Sequence, residues 1–387
     1  MIRGTSWGVG RGLDGREASR LATQRALDRL GSGRPVLAIV FFSQEFDPED
    51  VLAGIVSLLG GTPVWGCSTV APFIGEGEQT HSVVVAILSG NELKAQVYWY
   101  PDFAHYSKET ARQIGQLADQ ISPANGLLIA ADGVSGDIEA ITARLDQVHF
   151  PVVGCLSEGN YQTGRTTQLG GNQGGAGGLS ALLLGGRFRL NAGMGHGWQS
   201  VGVKLPVDRS RGVWIHTLGG VGAAEAFSRV FGYPTRQWAY LPLSRLIRLY
   251  ALGLEDERKP GRRVLRSPLH AEVNGSFRMN THVPDGKVAE LMIGNLDECL
   301  NVTRRVTLQA MDGLGKARPL LVICFVDLAW RMLFGSRAGQ FIQVVKEIAA
   351  EIPVIGAYTL GQILGNTGDI VLDNQNLLVV VLGESLD

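Results

Sequence analysis

The stretch PVWGCSTV, from Pro63 to Val70, decides the fold because close variants of it occur twice more in the chain. The second is PVVGCLSE (residues 151–158) and the third is PVIGAYTL (residues 353–360). Each joins a proline, two apolar residues and a glycine to side chains that carry hydroxyl, thiol or carboxyl groups. We call these stretches hook 1, hook 2 and hook 3 in chain order.

The sequence around each hook follows one order of predicted elements. Before hook 1, RPVLAIVFF (residues 34–42) is a continuous apolar run, typical of a strand buried on both faces. Asp47 and Pro48 then predict the start of a helix that ends at a glycine, and HSVVVAILSG (residues 81–90) predicts the strand after the hook. Hooks 2 and 3 have equivalent surroundings. The sequence therefore predicts an α/β fold of mixed sheets with helices packed on them, built from repeated strand-helix-strand-loop-strand units.

The repeats extend further upstream for hooks 2 and 3, where an additional strand and helix are predicted. For hook 3 we take the strand to be KVAELMIG (residues 287–294). The segment from Asn191 to Gly286 breaks the pattern with short strands, one helix and a charged linker, GLEDERKPGRR (residues 253–263). We therefore expect an amino-terminal module over residues 1–211 and a carboxy-terminal module over residues 212–387.

Composition excludes several classes of partner. The chain of 387 residues has a formal net charge of -1, so no bulk electrostatic field draws it to nucleic acid or to an anionic membrane. No apolar stretch approaches the roughly 20 residues that cross a bilayer, and the first residues lack the apolar run of a signal peptide. We expect a soluble cytoplasmic protein. The recognised phosphate-binding, dinucleotide-binding and zinc motifs are missing from the sequence, so we predict no cofactor and no metal.

The residues after each hook glycine are candidates for ligand binding. In parallel sheets, ligands usually bind beyond the carboxyl ends of the strands, and a glycine lets the backbone turn sharply or approach a ligand closely. Hydroxyl and free N–H groups there suit a carboxylate. The candidates are Cys67, Ser68 and Thr69 in hook 1, Cys155, Ser157 and Glu158 in hook 2, and Tyr358 and Thr359 in hook 3. The alternative is that the glycine serves only the turn and that the hydroxyls satisfy local backbone groups.

Arg331 is a further candidate because it follows the predicted strand RPLLVICFVD (residues 318–327), at the same strand end as hook 3. From there its guanidinium group could bind a carboxylate bidentately. The alternative is an ordinary arginine on a helix surface.

The cysteines raise the alternative of an enzyme with Cys67 or Cys155 as its nucleophile. Such a cysteine needs a base, usually histidine, and a lowered pKa. The seven histidines stand singly in the sequence, without a recognisable partnered motif, and hook 3 has Ala357 at the equivalent position. Small buried thiols are the better interpretation. The spacing of Cys67, Cys155, Cys299 and Cys324, with no CxxC pair, fits reduced thiols.

The hooks, together with YLPLSRL (residues 240–246), DLAWRMLFG (residues 327–335) and DNQNLLVVVLG (residues 373–383), resemble FIST (F-box and intracellular signal transduction) proteins. So does VNGSFRMNTHVPDGKVAELMIGN (residues 273–295). The resemblance runs in order from about Arg34 to the carboxyl terminus and covers an amino-terminal and a carboxy-terminal FIST module. It implies a sensory protein for intracellular signalling that binds small ligands such as amino acids or their derivatives, and it implies no known catalysis.

The sequence departs from the family pattern at several positions. The family favours Asp-Cys-x-x-Arg where this chain has Asp327, Leu328 and then Arg331, a Gly-Glu pair where it has Gly361 and Gln362, and His-Asn where it has Asp373 and Asn374. We expect a ligand pocket in the carboxy-terminal module that involves Arg331, Tyr358, Thr359, Gln362 and Asn374. With no effector domain visible, we expect the output to pass through a homo-oligomer or a separate effector. A protein-interaction scaffold without a ligand is a third hypothesis.

Overall fold

The computed structural model describes residues 4–117, 124–146, 148–160, 164–365 and 368–386. The first part of the chain, as far as Gly186, combines strands with four helices among the described residues. Its elements are β1 (Thr5–Gly10), α1 (Gly15–Leu30), β2 (Pro35–Ser43), α2 (Pro48–Leu59), β3 (Val64–Thr69), β4 (Phe73–Ile74), β5 (Gly77–Glu78), β6 (Val83–Ser89), β7 (Leu93–Tyr100), α3 (Phe103–Gly115), β8 (Ala124–Ala131), α4 (Ile138–Leu145), β9 (Val152–Ser157), β10 (Gly159–Asn160), β11 (Arg165–Gly170), β12 (Gln173–Ala176) and β13 (Leu179–Gly186).

The second part begins with a strand of the same layer, continues with a mostly β region and returns to alternating elements. These are β14 (Phe188–Gly195), β15 (Trp198–Arg211), β16 (Trp214–Leu218), β17 (Val221–Gly222), α5 (Ala223–Phe231), α6 (Leu243–Leu246), β18 (Tyr250–Glu255), β19 (Arg263–Arg266), β20 (Pro268–Ala271), β21 (Phe277–Met279), β22 (Val288–Gly294), α7 (Leu296–Asp312), β23 (Arg318–Asp327), α8 (Leu328–Phe334), α9 (Gly339–Ala349), β24 (Val354–Gly365), β25 (Val371–Asp373) and β26 (Leu377–Glu384). The predicted mixed α/β class is confirmed.

The strands in the described part of the chain form three sheets. The amino-terminal sheet has the order β1-β6-β2-β3-β11-β10, with β12 beside β11. The central sheet has the order β14-β26-β23-β24-β9-β8-β13-β7, and β4 and β25 also pair with β24. The inserted sheet has the order β19-β18-β22-β15-β16-β21-β20, with β17 beside β16. In the central sheet, β9 and β24 are antiparallel neighbours, which brings hooks 2 and 3 side by side.

Two of these sheets lie face to face between layers of helices. Residues on β2 show why its sequence is apolar throughout. Ile39 and Phe41 pack against the central sheet, whereas Ala38, Val40 and Phe42 pack against α1 and α2 on the outer face. The other face of the central sheet is covered by α3, α4, α7, α8 and α9. A strand covered on both faces needs no polar alternation, so the continuous apolar run is explained.

The helix predicted after β2 is present as α2. The Asp47 carboxylate accepts a hydrogen bond from Glu49 N at 2.9 Å, Pro48 occupies the first turn and Gly60 ends the helix with φ of 55°. This confirms the start and stop that the sequence predicts, because an N-cap carboxylate and a left-handed glycine satisfy backbone groups at helix ends.

The same strand order occurs in three places: β1-β6-β2-β3, β7-β13-β8-β9 and β14-β26-β23-β24. In each, the last two strands are parallel neighbours; one helix joins them in the first two places, and α8 and α9 join them in the third. The strand predicted at KVAELMIG is present, but it does not lie in the sheet that contains hook 3. That segment is β22 of the inserted sheet, and β14 pairs with β26 instead.

The inserted sheet occupies the segment that breaks the pattern in the sequence. Its core packs around α5 and includes Phe227, Trp238 and Phe277. The segment predicted as a charged linker is the turn between β18 and β19, which pair with each other. Gly212 lies in the hairpin between β15 and β16, which also pair. The division into modules at residue 212 stays a prediction.

Candidate functional site

The hydroxyl groups of hook 1 bind the backbones of the other two hooks. Ser68 Oγ donates to Glu158 O at 2.7 Å and accepts from Thr167 N at 3.0 Å. Thr69 Oγ1 donates to Tyr358 O at 3.0 Å and accepts from Tyr358 N at 2.9 Å. Ser68 and Thr69 are both buried. They therefore join the amino-terminal sheet to the central sheet where the three hooks meet.

The hook glycines allow close approach of neighbouring chain segments. A Cβ atom added to Gly66 would lie 1.9 Å from Val40 O, and one added to Gly154 would lie 2.7 Å from Ile129 O. At Gly356 the added atom would lie 2.1 Å from the Phe73 ring. None of the three glycines has a positive φ. These glycines therefore leave room for a neighbouring segment of the same chain.

The two hook cysteines face each other between the sheets. Cys67 and Cys155 are buried and unoxidised. Burial raises the pKa of Cys155 well above its ordinary value, and a hydrogen bond with Cys67 adds to the effect. Burial also raises the pKa of Cys299 to about 12 and raises that of Cys324. Thiols in such surroundings are weak nucleophiles because the reactive form is the thiolate.

Arg331 and Tyr358 share one carboxylate, that of Glu78 on β5. Arg331 Nε donates to Glu78 Oε1 at 3.1 Å and Arg331 Nη2 donates to Oε2 at 3.2 Å, while Tyr358 Oη donates to Oε1 at 2.6 Å. The Arg331 guanidinium also lies 5.8 Å from the centre of the Tyr358 ring. Arg331 thus binds a carboxylate through two nitrogens, as its position in the sequence suggests. That carboxylate belongs to Glu78 of the same chain.

Thr359, Gln362 and Asn374 form an internal hydrogen-bond network in which all three side chains are fully buried. Gln362 Nε2 donates to Thr359 Oγ1 at 2.7 Å, and Gln362 Oε1 accepts from Asn376 N at 3.1 Å. Asn374 Nδ2 donates to Leu360 O at 2.7 Å. These groups hold β24 against the segment before β26, and their hydrogen-bonding capacity is largely used within the protein.

A buried ion pair lies next to this network. Arg248 and Asp327 are 1% and 0% exposed, and Arg248 Nη2 donates to the two carboxylate oxygens at 2.9 and 3.0 Å. The same nitrogen donates to Leu360 O at 3.0 Å. Arg248 Nε and Nη1 are buried without a hydrogen-bond partner. A buried guanidinium group with two unpaired nitrogens is costly unless something else binds them.

Glu158, at the end of hook 2, is another buried group with an unpaired atom. It is 2% exposed, and its Oε2 atom has no hydrogen-bond partner, nor has the neighbouring Ser157 Oγ. Burial raises the pKa of Glu158 to about 8, although a hydrogen bond from Val70 N and the charges of Arg248 and Arg331 oppose the shift. We call Glu78, Glu158, Arg248, Asp327, Arg331 and Tyr358 the polar cluster.

Models of two protein domains match most of this chain. The FIST N domain matches residues 36–221 and the FIST C domain matches residues 223–364. The chain belongs to the FIST family. FIST domains are sensory domains of signal transduction. The boundary between the two matches falls within the inserted sheet, next to β17.

Comparison with solved structures adds little to the family assignment. This FIST chain is similar to a chorismatase with a TM-score of 0.36 and 10% identity, over 98% of this chain and 99% of that one. It is similar to PurLQS from Thermotoga maritima with a TM-score of 0.25 and 11% identity, over 98% of this chain and 72% of that one. No curated protein matches the chain.

The described residues lack two further kinds of functional feature. No described helix combines the length and the apolar character needed to cross a membrane. Histidine, cysteine and carboxylate side chains do not come together in a metal-binding group within this same part of the FIST chain.

The structure brings Arg331 and Tyr358 together at Glu78 and places Thr359, Gln362 and Asn374 in a separate buried hydrogen-bond network. Three members of the cluster, Glu78, Arg248 and Asp327, were not among the candidates from the sequence. Arg248 had a recognisable signal, because it stands alone as a charge within the apolar run LIRLYALGL. Glu78 had none, since it lies on a strand of two residues.

Proposed function

We propose that this FIST chain is a sensor that binds one small molecule carrying both a carboxylate and an ammonium group, as an amino acid does. The observation that supports this most is the pair of opposite groups in the polar cluster whose atoms lack partners. Arg248 offers Nε and Nη1 as donors, and Glu158 offers Oε2 as an acceptor. Buried polar atoms in native proteins are nearly always paired, so unpaired ones of complementary type favour a ligand.

The charge balance of the cluster also favours a zwitterion. With a pKa of about 8, Glu158 carries its proton at pH 7. The two arginines are then matched by their ion-pair partners, Asp327 for Arg248 and Glu78 for Arg331. A zwitterionic ligand keeps this balance, whereas a simple anion or a simple cation would leave a buried charge uncompensated.

The side of the cluster that reaches solvent is marked by Arg331, whose side chain is 35% exposed. The unpaired atoms of Arg248 and Glu158 have almost no solvent-accessible surface, so a ligand reaches them through a local rearrangement. We place that access beside Arg331 and Glu78. In this proposal the ligand carboxylate binds an arginine, the ammonium group binds Glu158, and Glu78 competes with the ligand for Arg331.

Catalysis is not part of the proposal. The alternative of a cysteine enzyme is disfavoured by the burial of Cys67 and Cys155 and by the raised pKa of Cys155. The four unpaired thiols favour a reducing compartment such as the cytoplasm. We expect the signal to reach a separate effector protein or a second copy of the chain.

Thermal unfolding of the full chain in the presence of single amino acids tests the proposal. Acetate and methylamine serve as compounds with only one of the two charges. A ligand present at 100 times its Kd stabilises the folded state by about 2.7 kcal/mol. We expect at least one amino acid to raise Tm, and neither acetate nor methylamine to do so at the same concentration.

Variants of the polar cluster test whether the shift in Tm arises from binding there. Glu158→Leu, which removes the acceptor oxygens, and Arg331→Ala should reduce the shift in Tm at a fixed amino-acid concentration. Glu76→Gln is the matched control, because Glu76 is an exposed carboxylate two residues from Glu78. If no amino acid raises Tm, or if both cluster variants respond like Glu76→Gln, the proposal is wrong.

A further inference from the structure

A cavity of about 980 Å³ opens at the amino ends of β2 and β3, at the opposite edge of the sheets from the polar cluster. Pro35 at the start of β2 and Pro63 just before β3 both line it, as does Leu93 at the start of β7. Since β3 has six residues, this edge lies about 20 Å from the hook ends. The cavity is therefore separate from the site of the proposed function.

Part of the floor of this cavity is apolar. Val36, Leu93 and Ala95 line it and also pack against the core between the amino-terminal and central sheets. Leu59 lines it from the end of α2. The carbonyl group of Leu59 is already bound by Thr62, through N at 3.2 Å and Oγ1 at 3.0 Å. The end of α2 therefore presents apolar surface to the cavity, and its Leu59 carbonyl group needs no further hydrogen-bond partner.

The charges at this cavity are of one sign. Its lining includes the cations Arg34 and Lys94, both exposed, and includes neither aspartate nor glutamate. In the described part of the chain, no ion pair or side-chain hydrogen bond joins either cation to another residue. The acidic residue next to Lys94 in this part of the sequence, Glu92, forms its ion pair with Arg187.

A second cavity of about 560 Å³ continues the first. The two share Gly61, Thr62, Pro63, Ala95 and Gln96, and the second extends to Tyr98 and Asn172. We call the two together the basal groove. Its length accommodates a ligand body larger than a single amino acid.

We propose that the basal groove binds an amphiphilic organic anion, with a carboxylate or sulfonate group held by Arg34 and Lys94 and an apolar body lying on Val36, Leu59, Leu93 and Ala95. The unpaired cations supply the attraction for the anionic group, and the absence of acidic lining residues leaves that attraction unopposed. The apolar floor recovers free energy as the ligand body leaves water.

Fluorescence titration of the full chain with 8-anilinonaphthalene-1-sulfonate tests the site directly, since this probe combines a sulfonate with an apolar aromatic body. The double variant Arg34→Gln/Lys94→Gln should weaken binding at least about tenfold. Arg16→Gln/Arg20→Gln removes two exposed cations from α1 and is the matched control, with binding expected to stay unchanged.

A steric variant and a competition experiment complete the test. An added Cβ at Gly61 meets nothing within 4 Å, so Gly61→Trp should fill the groove without disturbing the backbone. We expect it to weaken probe binding, and we expect decanoate to displace the probe better than decanol. Wild-type affinity in both groove variants, or equal displacement by decanoate and decanol, would overturn the proposal. Glu158→Leu should bind the probe like the wild type, so the two proposals fail independently.

Discussion

Thr69 and Tyr358 are 289 residues apart in the chain, yet the Thr69 hydroxyl binds both the N–H and the C=O group of Tyr358. One side chain of the amino-terminal sheet thus satisfies two backbone groups of the central sheet. We expect Thr69→Val to destabilise the protein by about 1–3 kcal/mol, because it leaves a buried N–H group unpaired.

Equilibrium denaturation measures this change, and Thr69→Ser is the control because it keeps the hydroxyl group. The serine variant should lose less stability than the valine variant. If the two variants are equally stable, the hydroxyl contributes nothing and the prediction is wrong.

The glycine of hook 1 provides a second prediction. An alanine at Gly66 would bring its Cβ to 1.9 Å from Val40 O, a backbone atom that cannot move aside alone. We expect Gly66→Ala to destabilise the protein by about 3 kcal/mol or more, since overpacking of a dense core forces shifts of the backbone. Thermal or denaturant unfolding measures it.

Gly339→Ala is the matched control, because nothing lies within 4 Å of an added Cβ there and the residue begins α9. It should be neutral or slightly stabilising, since alanine has the higher helix propensity. Equal stability of Gly66→Ala and Gly339→Ala would contradict the close approach of β2 to hook 1.

Glu158 makes stability depend on pH. Burial raises its pKa from 4.5 to about 8 in the folded protein, so the folded state favours the protonated form. As the pH rises from about 4.5 to 8, the unfolded chain loses this proton and the folded chain keeps it. Stability therefore falls across this window, by at most about 5 kcal/mol from this group at 1.36 kcal/mol per pKa unit.

The difference in unfolding free energy between the wild type and Glu158→Gln isolates this effect, because other titrating groups largely cancel. We expect the glutamine variant to gain stability relative to the wild type between pH 5 and pH 8. Parallel pH profiles for the two proteins would show that Glu158 titrates normally.

The cysteines provide a fourth prediction. All four thiols are buried, and burial raises the pKa of Cys155, Cys299 and Cys324. We expect slow reaction of all four with iodoacetamide at pH 7.5 in the folded protein and fast reaction after unfolding in guanidinium chloride. Mass spectrometry of the digested protein assigns the modified residues. Fast, selective labelling of Cys67 or Cys155 in the folded protein would favour the cysteine enzyme instead.

Local patterns predicted local structure well. The apolar run of β2, the cap at Asp47 and the position of hook 1 on β3 follow from spacing and residue type, and the structure has them where expected. The sheet to which each strand belongs did not follow from the local sequence pattern. Both β14 and β22 are short apolar segments ahead of α7, and only pairing with β26 shows that β14 belongs to the central sheet.

In the candidate site, too, local features could be predicted from the sequence and contacts between distant elements could not. The sequence places Arg331 and Tyr358 at one strand end, but it cannot show that Glu78 lies between them from more than 250 residues away. The partner of Asp327 is Arg248, which enters from the inserted segment. Such contacts depend on how distant elements pack, so they carry no signal in the local pattern.

The inserted sheet leaves and rejoins the rest of the molecule at one place. The chain departs after β14 and returns at α7, and Asn295 N donates to Gly197 O at 2.9 Å across the two connections. The two crossings are therefore adjacent in the fold. Elsewhere, the ion pair of Arg248 with Asp327 and the hydrogen bond from Leu265 N to Asp373 Oδ1 join the inserted segment to the central sheet. A ligand bound at the polar cluster would therefore contact the inserted segment and the central sheet at once and tie the two together.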